Sequence, residues 1–144
     1  MKSKLIHEDR QKTYALVFEA GDEVMDGLRA FAAEHALDAA QFTGIGAFSE
    51  VTLGWFDPER KRYEEIPIGE QVEVLTLAGD IAEKDGEPQV HAHVAVAKRD
   101  GSAHGGHLMR ARVRPTLEVI LVESPAHLHK RLDERAGVAL IALD

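Results

Sequence analysis

Two Asp-Gly pairs between β-prone segments constrain the fold of this 144-residue chain more than any other feature of its sequence. They are Asp85-Gly86 and Asp100-Gly101. An Asp-Gly pair in such a place is the strongest short-range signal for a β-hairpin, because tight hairpin turns need a positive φ that glycine adopts at little steric cost. The middle of the chain is therefore predicted to form two successive hairpins, which makes its sheet largely antiparallel.

A change of hydrophobic period marks one main helix. Val24, Leu28 and Phe31 fall on a single helical stripe, whereas the flanking segments have β-like patterns. We expect this helix to run from about Asp22 to Ala36, with Asp22 as its N-cap. One helix among several strands predicts an α+β fold.

Short β-prone runs and one further helix complete the predicted elements. Ser124-Pro125 can start a short C-terminal helix from about Ala126 to Arg135. The β-prone runs predict strands at 14–18, 41–48, 51–56, 63–66, 72–79, 116–122 and 138–143. The runs at 41–48 and 51–56 are expected to pair with each other. No repeat or linker interrupts the chain, so a single domain over residues 1–144 is predicted.

Composition excludes several classes of function. The chain has no cysteine, which excludes a disulfide framework, a thiol nucleophile and a cysteine-type zinc finger. Its formal net charge of -8 is the wrong sign for a protein that binds by neutralising phosphates, so general DNA affinity is disfavoured. No stretch approaches the roughly 20 apolar residues of a membrane span. We therefore expect a cytoplasmic protein with no membrane partner.

Histidines provide the most informative candidate site, because four of the eight fall between 91 and 107. His91 and His93 lie two apart on a predicted strand, so their side chains leave the same face about 7 Å apart. Neutral imidazole is the commonest metal-binding side chain, and one more ligand would make a metal site. The partner strand offers His104 and His107.

The register of the second hairpin decides which of these two histidines joins the pair. In a simple two-residue turn, His104 shares the face of His91 and His93. His107 reaches that face only if one extra residue is inserted, for which Gly105-Gly106 could form a bulge. The pattern alone favours neither residue, and packing of the histidines at a subunit interface without metal is the alternative.

Two other patterns are weaker. Gly44-Ile-Gly46 follows a strand but lacks the third glycine of a dinucleotide-binding loop, so these glycines are expected to permit a bend or close backbone packing. Arg110, Arg112 and Arg114 alternate with apolar residues and are predicted to form one strand face. We expect that face to be solvated or paired with glutamates, with an anion site as the alternative.

Several of these motifs together resemble a known family, the plants and prokaryotes conserved (PPC) domain, in its prokaryotic stand-alone branch. The likeness covers a core of about 12–143. The motifs that carry it are Gly44-Ile-Gly-Ala47, Glu73-Val-Leu-Thr-Leu-Ala-Gly79-Asp-Ile81, His91-Ala-His93-Val, Asp100-Gly101, Gly105-Gly-His107-Leu and Glu118-Val-Ile-Leu.

The resemblance implies a homotrimer with a metal held by His91, His93 and His107, which favours His107 over His104 and implies the bulge at Gly105-Gly106. Zinc is the expected divalent metal, because it suits three neutral nitrogen ligands best, with nickel, copper or iron as the alternatives. Plant relatives of the family bind DNA through a separate basic arm that this chain lacks. Nucleic acid is therefore an unlikely partner, although the family is associated with it.

Two hypotheses of function follow from the sequence. The first is a trimeric metal-binding protein with an open fourth coordination position, acting as a metal-dependent enzyme on a small cytoplasmic molecule. The second is a non-enzymatic DNA-binding or regulatory oligomerisation module. Acid or base groups such as Glu73, Asp80 and Glu118 cannot be ranked without distances. In the first hypothesis, metal affinity should fall as pH drops through about 6, because protons compete for the imidazoles.

Overall fold

Nine strands and one helix make up the described part of the chain, residues 1–7 and 11–143, in a computed structural model. The helix, α1, is Val24–Glu34. The strands are β1 Lys2–His7, β2 Thr13–Glu19, β3 Ala39–Asp57, β4 Arg62–Ile68, β5 Val72–Lys84, β6 Glu87–Ala97, β7 Ala103–Glu123, β8 His129–Asp133 and β9 Val138–Ala142. The predicted α+β composition, with a mostly antiparallel sheet, is confirmed.

Two long strands organise the sheet. β3 pairs antiparallel with β7 along most of its length, with β5 through its first half and with β4 through its second half. β6 pairs with both β5 and β7. The pairings β3-β5-β6-β7 therefore close on themselves, and this ring brings the two predicted hairpins to one place.

The helix packs its apolar stripe onto this sheet. Leu28 and Phe31 are buried and join the same core cluster as the inner residues of the strands. The predicted N-cap was wrong by one residue, because the Glu23 carboxylate accepts from the Asp26 N–H at 2.7 Å. Asp22 instead accepts from the backbone N–H of Glu19, which closes the turn between β2 and the helix.

Two predicted elements near the middle and the end of the chain were wrong. Segments 41–48 and 51–56 do not pair with each other; they are parts of one continuous strand, β3, which stays beside β7 by shifting register instead of turning. The short helix predicted at 126–135 is absent among the described residues. In its place β8 pairs with β9 around a turn at Gly137, whose φ of +77° glycine adopts readily.

The N-terminal strand β1 was not predicted at all. It pairs with β2, with Lys4 opposite Ala15. Within the described ranges, no helix has the length and apolar character to cross a membrane. The cytoplasmic location stays a prediction.

Candidate metal centre

β6 presents the first two candidate ligands. Val90, Ala92 and Val94 point into the core, so the alternating residues His91 and His93 leave the opposite face, as the sequence predicts. Their ring centroids are 5.1 Å apart. The strand thus brings the two imidazoles together without any unusual backbone geometry.

The turn at Asp100-Gly101 sets the position of the third histidine. Lys98 N–H donates to the Ser102 carbonyl, so the loop has three residues rather than the expected two, and Gly101 has a φ of +82°. His107 is therefore directly opposite His93.

Two expectations about this hairpin need correction. No register shift occurs between Ala103 and His107, so the bulge expected at Gly105-Gly106 is absent; the extra residue lies in the turn. His104 is opposite Val96, on the other face of the strand, and is exposed. It therefore lies apart from His91, His93 and His107.

His91, His93 and His107 converge. Each of His91, His93 and His107 has a ring nitrogen such that all three atoms lie within 4.8 Å of one another. The ring of His107 is 5.1 Å from that of His91 and 5.5 Å from that of His93, centroid to centroid. Zn–N bonds of about 2.0–2.1 Å in a tetrahedron need nitrogens about 3.4 Å apart. Small ring movements would bring the set to that spacing.

Burial favours the neutral form of two of these imidazoles, His93 and His107. Burial lowers the pKa of His107 to about 4, assisted by the neighbouring His91 and His93. Burial also lowers the pKa of His93, and the adjacent His91 adds to the effect. Nδ1 of His107 is buried without a hydrogen-bond partner in the described part of the protein. A metal-binding imidazole must be neutral and must have a ring nitrogen that is free to bind the ion, and His107 has these properties.

A carboxylate contacts His91 and is itself paired with a buried lysine. Oδ2 of Asp80 lies 3.2 Å from Nδ1 of His91, and Oδ1 forms an ion pair with Nζ of Lys130. The Lys130 side chain is only 4% exposed. Burial raises the pKa of Asp80, but the bonds from His91 and Lys130 outweigh it, so that this pKa lies below its ordinary value. Asp80 thus stays ionised and leaves Nε2 of His91 for another partner.

The other acid candidates lie elsewhere. Glu73 and Glu118 line a separate cavity of about 670 Å³, together with Ile45 and Leu75. Of the three acids that the sequence could not rank, Asp80 is the one in direct contact with a candidate ligand.

Sequence reasoning missed Lys130 and Tyr63. The ring of Tyr63 lies 4.5 Å from that of His107, and burial raises the pKa of its hydroxyl. Tyr63 lies on β4, which comes close to His107 because its neighbour β3 pairs with the distant β7, and Lys130 lies on β8, which pairs with the distant β5. The sequence contains no local signal for either contact.

The weaker motifs have structural roles. Arg110 pairs with Glu65 at 3.1 Å and Arg112 with Glu50 at 3.6 Å, which confirms the expected salt-bridged face at these two arginines. A Cβ at Gly44 would lie 2.9 Å from the Glu118 carbonyl oxygen. Close backbone packing, as expected, accounts for that glycine.

Comparison with known proteins identifies the family. A family model, the Plants and Prokaryotes Conserved (PCC) domain, matches residues 6–125. The chain belongs to this family. The PCC domain, also written PPC, is thus the fold that carries the three histidines, and the resemblance seen in the sequence is confirmed.

Solved structures share the PCC fold along nearly the whole chain. A plant- and prokaryote-conserved protein from Pyrococcus horikoshii is 29% identical with a TM-score of 0.86, covering 99% of this chain and 95% of that one. A protein from Archaeoglobus fulgidus named as metal-containing is 30% identical with a TM-score of 0.85, covering 99% and 100%. A candidate DNA-binding protein from Ralstonia eutropha JMP134 is 31% identical with a TM-score of 0.85, covering 91% of each chain.

A curated relative is much longer than this chain. The bifunctional protein GlmU of Synechococcus sp. (strain JA-3-3Ab) is 30% identical over 127 residues, which is 87% of this chain and 19% of that protein. The chain therefore spans about a fifth of that relative. The single-domain boundary at 1–144 stays a prediction.

Proposed function

We propose that this PCC domain binds one divalent metal ion through His91, His93 and His107, with zinc as the preferred ion. The convergence of three ring nitrogens within 4.8 Å is the observation that supports it. The residues also fit a metal chemically, because the set is all imidazole and the pKa values of His93 and His107 are lowered. In addition, one buried nitrogen, Nδ1 of His107, has no hydrogen-bond partner among the described residues. A PCC relative named as metal-containing adds support.

The site has the ligand set of a catalytic rather than a structural centre. Three histidines leave a fourth position for water or substrate, where zinc when bound would polarise a carbonyl or lower the pKa of water. Asp80 fixes the orientation of His91, and Tyr63 packs beside His107. We extend the proposal to a metal-dependent enzyme acting on a small cytoplasmic molecule.

We also propose that the protein is a homotrimer. Large apolar side chains are exposed on its sheet, among them Ile45 at 63%, Leu75 at 52% and Ile120 at 45%. Exposed apolar patches of this kind mark interaction surfaces, and closed cyclic assemblies are common among soluble oligomers. Light scattering on a sizing column should give three times the 15.8 kDa chain mass. A monomer at micromolar concentration would contradict this part of the proposal.

A non-enzymatic DNA-binding or regulatory module is the second candidate. The relative from Ralstonia eutropha favours it by its name. The net charge of -8 opposes it, and Arg110 and Arg112 are already paired with glutamates.

Metal retention by variants tests the main proposal. Protein reconstituted with zinc at pH 7.5 and desalted should hold about one ion per chain by elemental analysis. His93→Ala should lose most of it, because two imidazoles hold zinc far less tightly than three. His104→Ala is the matched control and should hold as much as the parent. If His93→Ala and the parent retain equal zinc, the proposal is wrong and interface packing explains the cluster.

A further inference from the structure

A cavity of about 470 Å³ opens beside the candidate metal centre. His91 and His107 form part of its wall, and the hairpin of β8 and β9 forms another part. This volume falls within the range of about 300–1,000 Å³ that is typical of small-molecule sites. The cavity is therefore large enough for a ligand that also reaches the histidines.

The charged residues that line this cavity are all cationic. They are Arg29, Lys84 and Lys130, and no described lining residue carries a carboxylate. In the chain as a whole, 25 acidic residues outnumber 17 basic ones, so the charged residues of the lining have the opposite sign to the net charge of the protein. A lining whose charged side chains are all cationic favours an anionic ligand over a cationic one.

The three cationic side chains differ in how strongly they can interact with a ligand. Arg29 is exposed, Lys84 is half-buried at the surface, and they pair with Asp26 and Asp85, so solvent partly screens both charges. Lys130 is buried, and Asp80, which is not part of the lining, uses one of its three N–H donors. Asp80 balances the charge of Lys130, but Lys130 can still donate further N–H bonds to a ligand in a place where water is scarce and such bonds are strong.

The rest of the lining is mainly apolar. Leu132, Val138 and Leu140 come from the β8–β9 hairpin, and Leu108 and Met109 come from β7. Such a wall favours a ligand with a hydrocarbon body. A single buried lysine also suits a carboxylate better than a phosphate, which usually needs several donors.

We infer that this cavity binds a small carboxylate with an apolar body, the carboxylate facing Lys130 and the histidines and the body packing on the β8–β9 hairpin. The inference rests on the proposed function, because an ion held by the histidines would give this side of the cavity an unbalanced positive charge. It names the class of substrate or ligand that the metal centre would take.

Calorimetric titration of zinc-loaded protein with three probes tests the ligand class. Benzoate and benzyl alcohol have nearly the same shape and differ in charge, and inorganic phosphate supplies charge without a hydrocarbon body. We expect benzoate to bind at least about tenfold more tightly than either of the others. Equal affinity for benzoate and benzyl alcohol would overturn the inference, as would tighter binding of phosphate or no binding of benzoate.

A matched pair of variants locates the binding. Leu132 lines the cavity and is 63% exposed, so Leu132→Glu should fold and should repel benzoate, weakening its binding about tenfold. Leu143 is 90% exposed, does not line the cavity and serves for the control Leu143→Glu, which should bind benzoate like the parent. An equal loss in both variants would show that net charge, not this cavity, governs binding.

Metal-free protein separates this inference from the proposed function. Lys130 remains there, so benzoate should still bind more tightly than benzyl alcohol, although more weakly than in the zinc-loaded protein. If the protein retains no zinc but benzoate preference and its loss in Leu132→Glu persist, the metal proposal fails and the carboxylate site stands. If zinc is retained and benzoate shows no preference, the carboxylate site fails alone.

Discussion

Replacing Asp80 by Asn tests how the structure supports its candidate metal ligand. Asp80 has two partners, His91 through Oδ2 at 3.2 Å and the buried Lys130 through Oδ1. Asn has nearly the same shape but only one acceptor oxygen and no charge. One of the two partners therefore loses its acceptor, and Lys130 loses its counter-charge in either case.

Asp80→Asn should change two quantities, the zinc affinity and the free energy of unfolding. Removing the hydrogen-bond partner of a metal-ligating histidine lowers metal affinity about 10–100-fold, which corresponds to about 1.4–2.7 kcal/mol. Removing one partner of a buried ion pair costs about 3–5 kcal/mol of stability. Because the Asp80 side chain is 28% exposed, water can partly replace it. We therefore expect the free energy of unfolding to fall by only about 1–3 kcal/mol.

Competition with a chromogenic chelator gives the zinc affinity, and urea unfolding of metal-free protein gives the stability. Asp26→Asn removes an exposed carboxylate that pairs with Arg29 and should change neither quantity appreciably. Combining Asp80→Asn with Lys130→Met should restore much of the stability but not the zinc affinity, because the second change removes only the unpaired charge. A zinc affinity of Asp80→Asn within twofold of the parent would refute the role given to this carboxylate.

Three further predictions concern packing, pH and DNA. Gly79→Ala should destabilise the protein by about 1–3 kcal/mol in urea unfolding, because a Cβ there would overlap the carbonyl oxygen of His91 and the ring of Phe42; Gly69→Ala, where a Cβ meets nothing within 4 Å, is the control. Metal-free protein should become less stable as the pH falls from about 6.5 to about 4. Burial lowers the pKa of His107 to about 4 in the folded state, whereas the unfolded chain takes up this proton near pH 6.5. A urea midpoint that stays flat over this interval would contradict the burial of His107. Duplex DNA should bind no better than about 10⁻⁴–10⁻⁶ M near physiological salt, and nanomolar, sequence-dependent retardation would contradict that expectation.

Local signals in the sequence predicted the hairpins and the helix but not the long strands. The pairs at Asp85 and Asp100 impose positive φ at their glycines, and a turn of that kind needs no distant partner. Between segments 41–48 and 51–56, by contrast, the continuity of β3 depends on its pairing with β7, more than 60 residues away. The residues of β8 have a weak local preference, and their pairing with β9 decides their conformation.

In the candidate site too, local sequence predicts some features and distant strand pairing decides the others. Strand alternation is enough to place His91 and His93 on one face, so two candidate ligands could be predicted from spacing alone. The third depended on whether the turn at Asp100 has two or three residues, and that single residue separates His104 from His107. Lys130 and Tyr63 could not be predicted, because each arrives on a strand whose position is set by the complete sheet.

Anomalous diffraction from crystals of zinc-reconstituted protein, measured on both sides of the zinc absorption edge, would show whether the three histidines bind the metal. We predict one zinc peak per chain, bonded to a ring nitrogen of each of His91, His93 and His107 at about 2.0–2.1 Å. No peak there at full zinc loading, or a peak held by other residues such as His127 and His129, would contradict it.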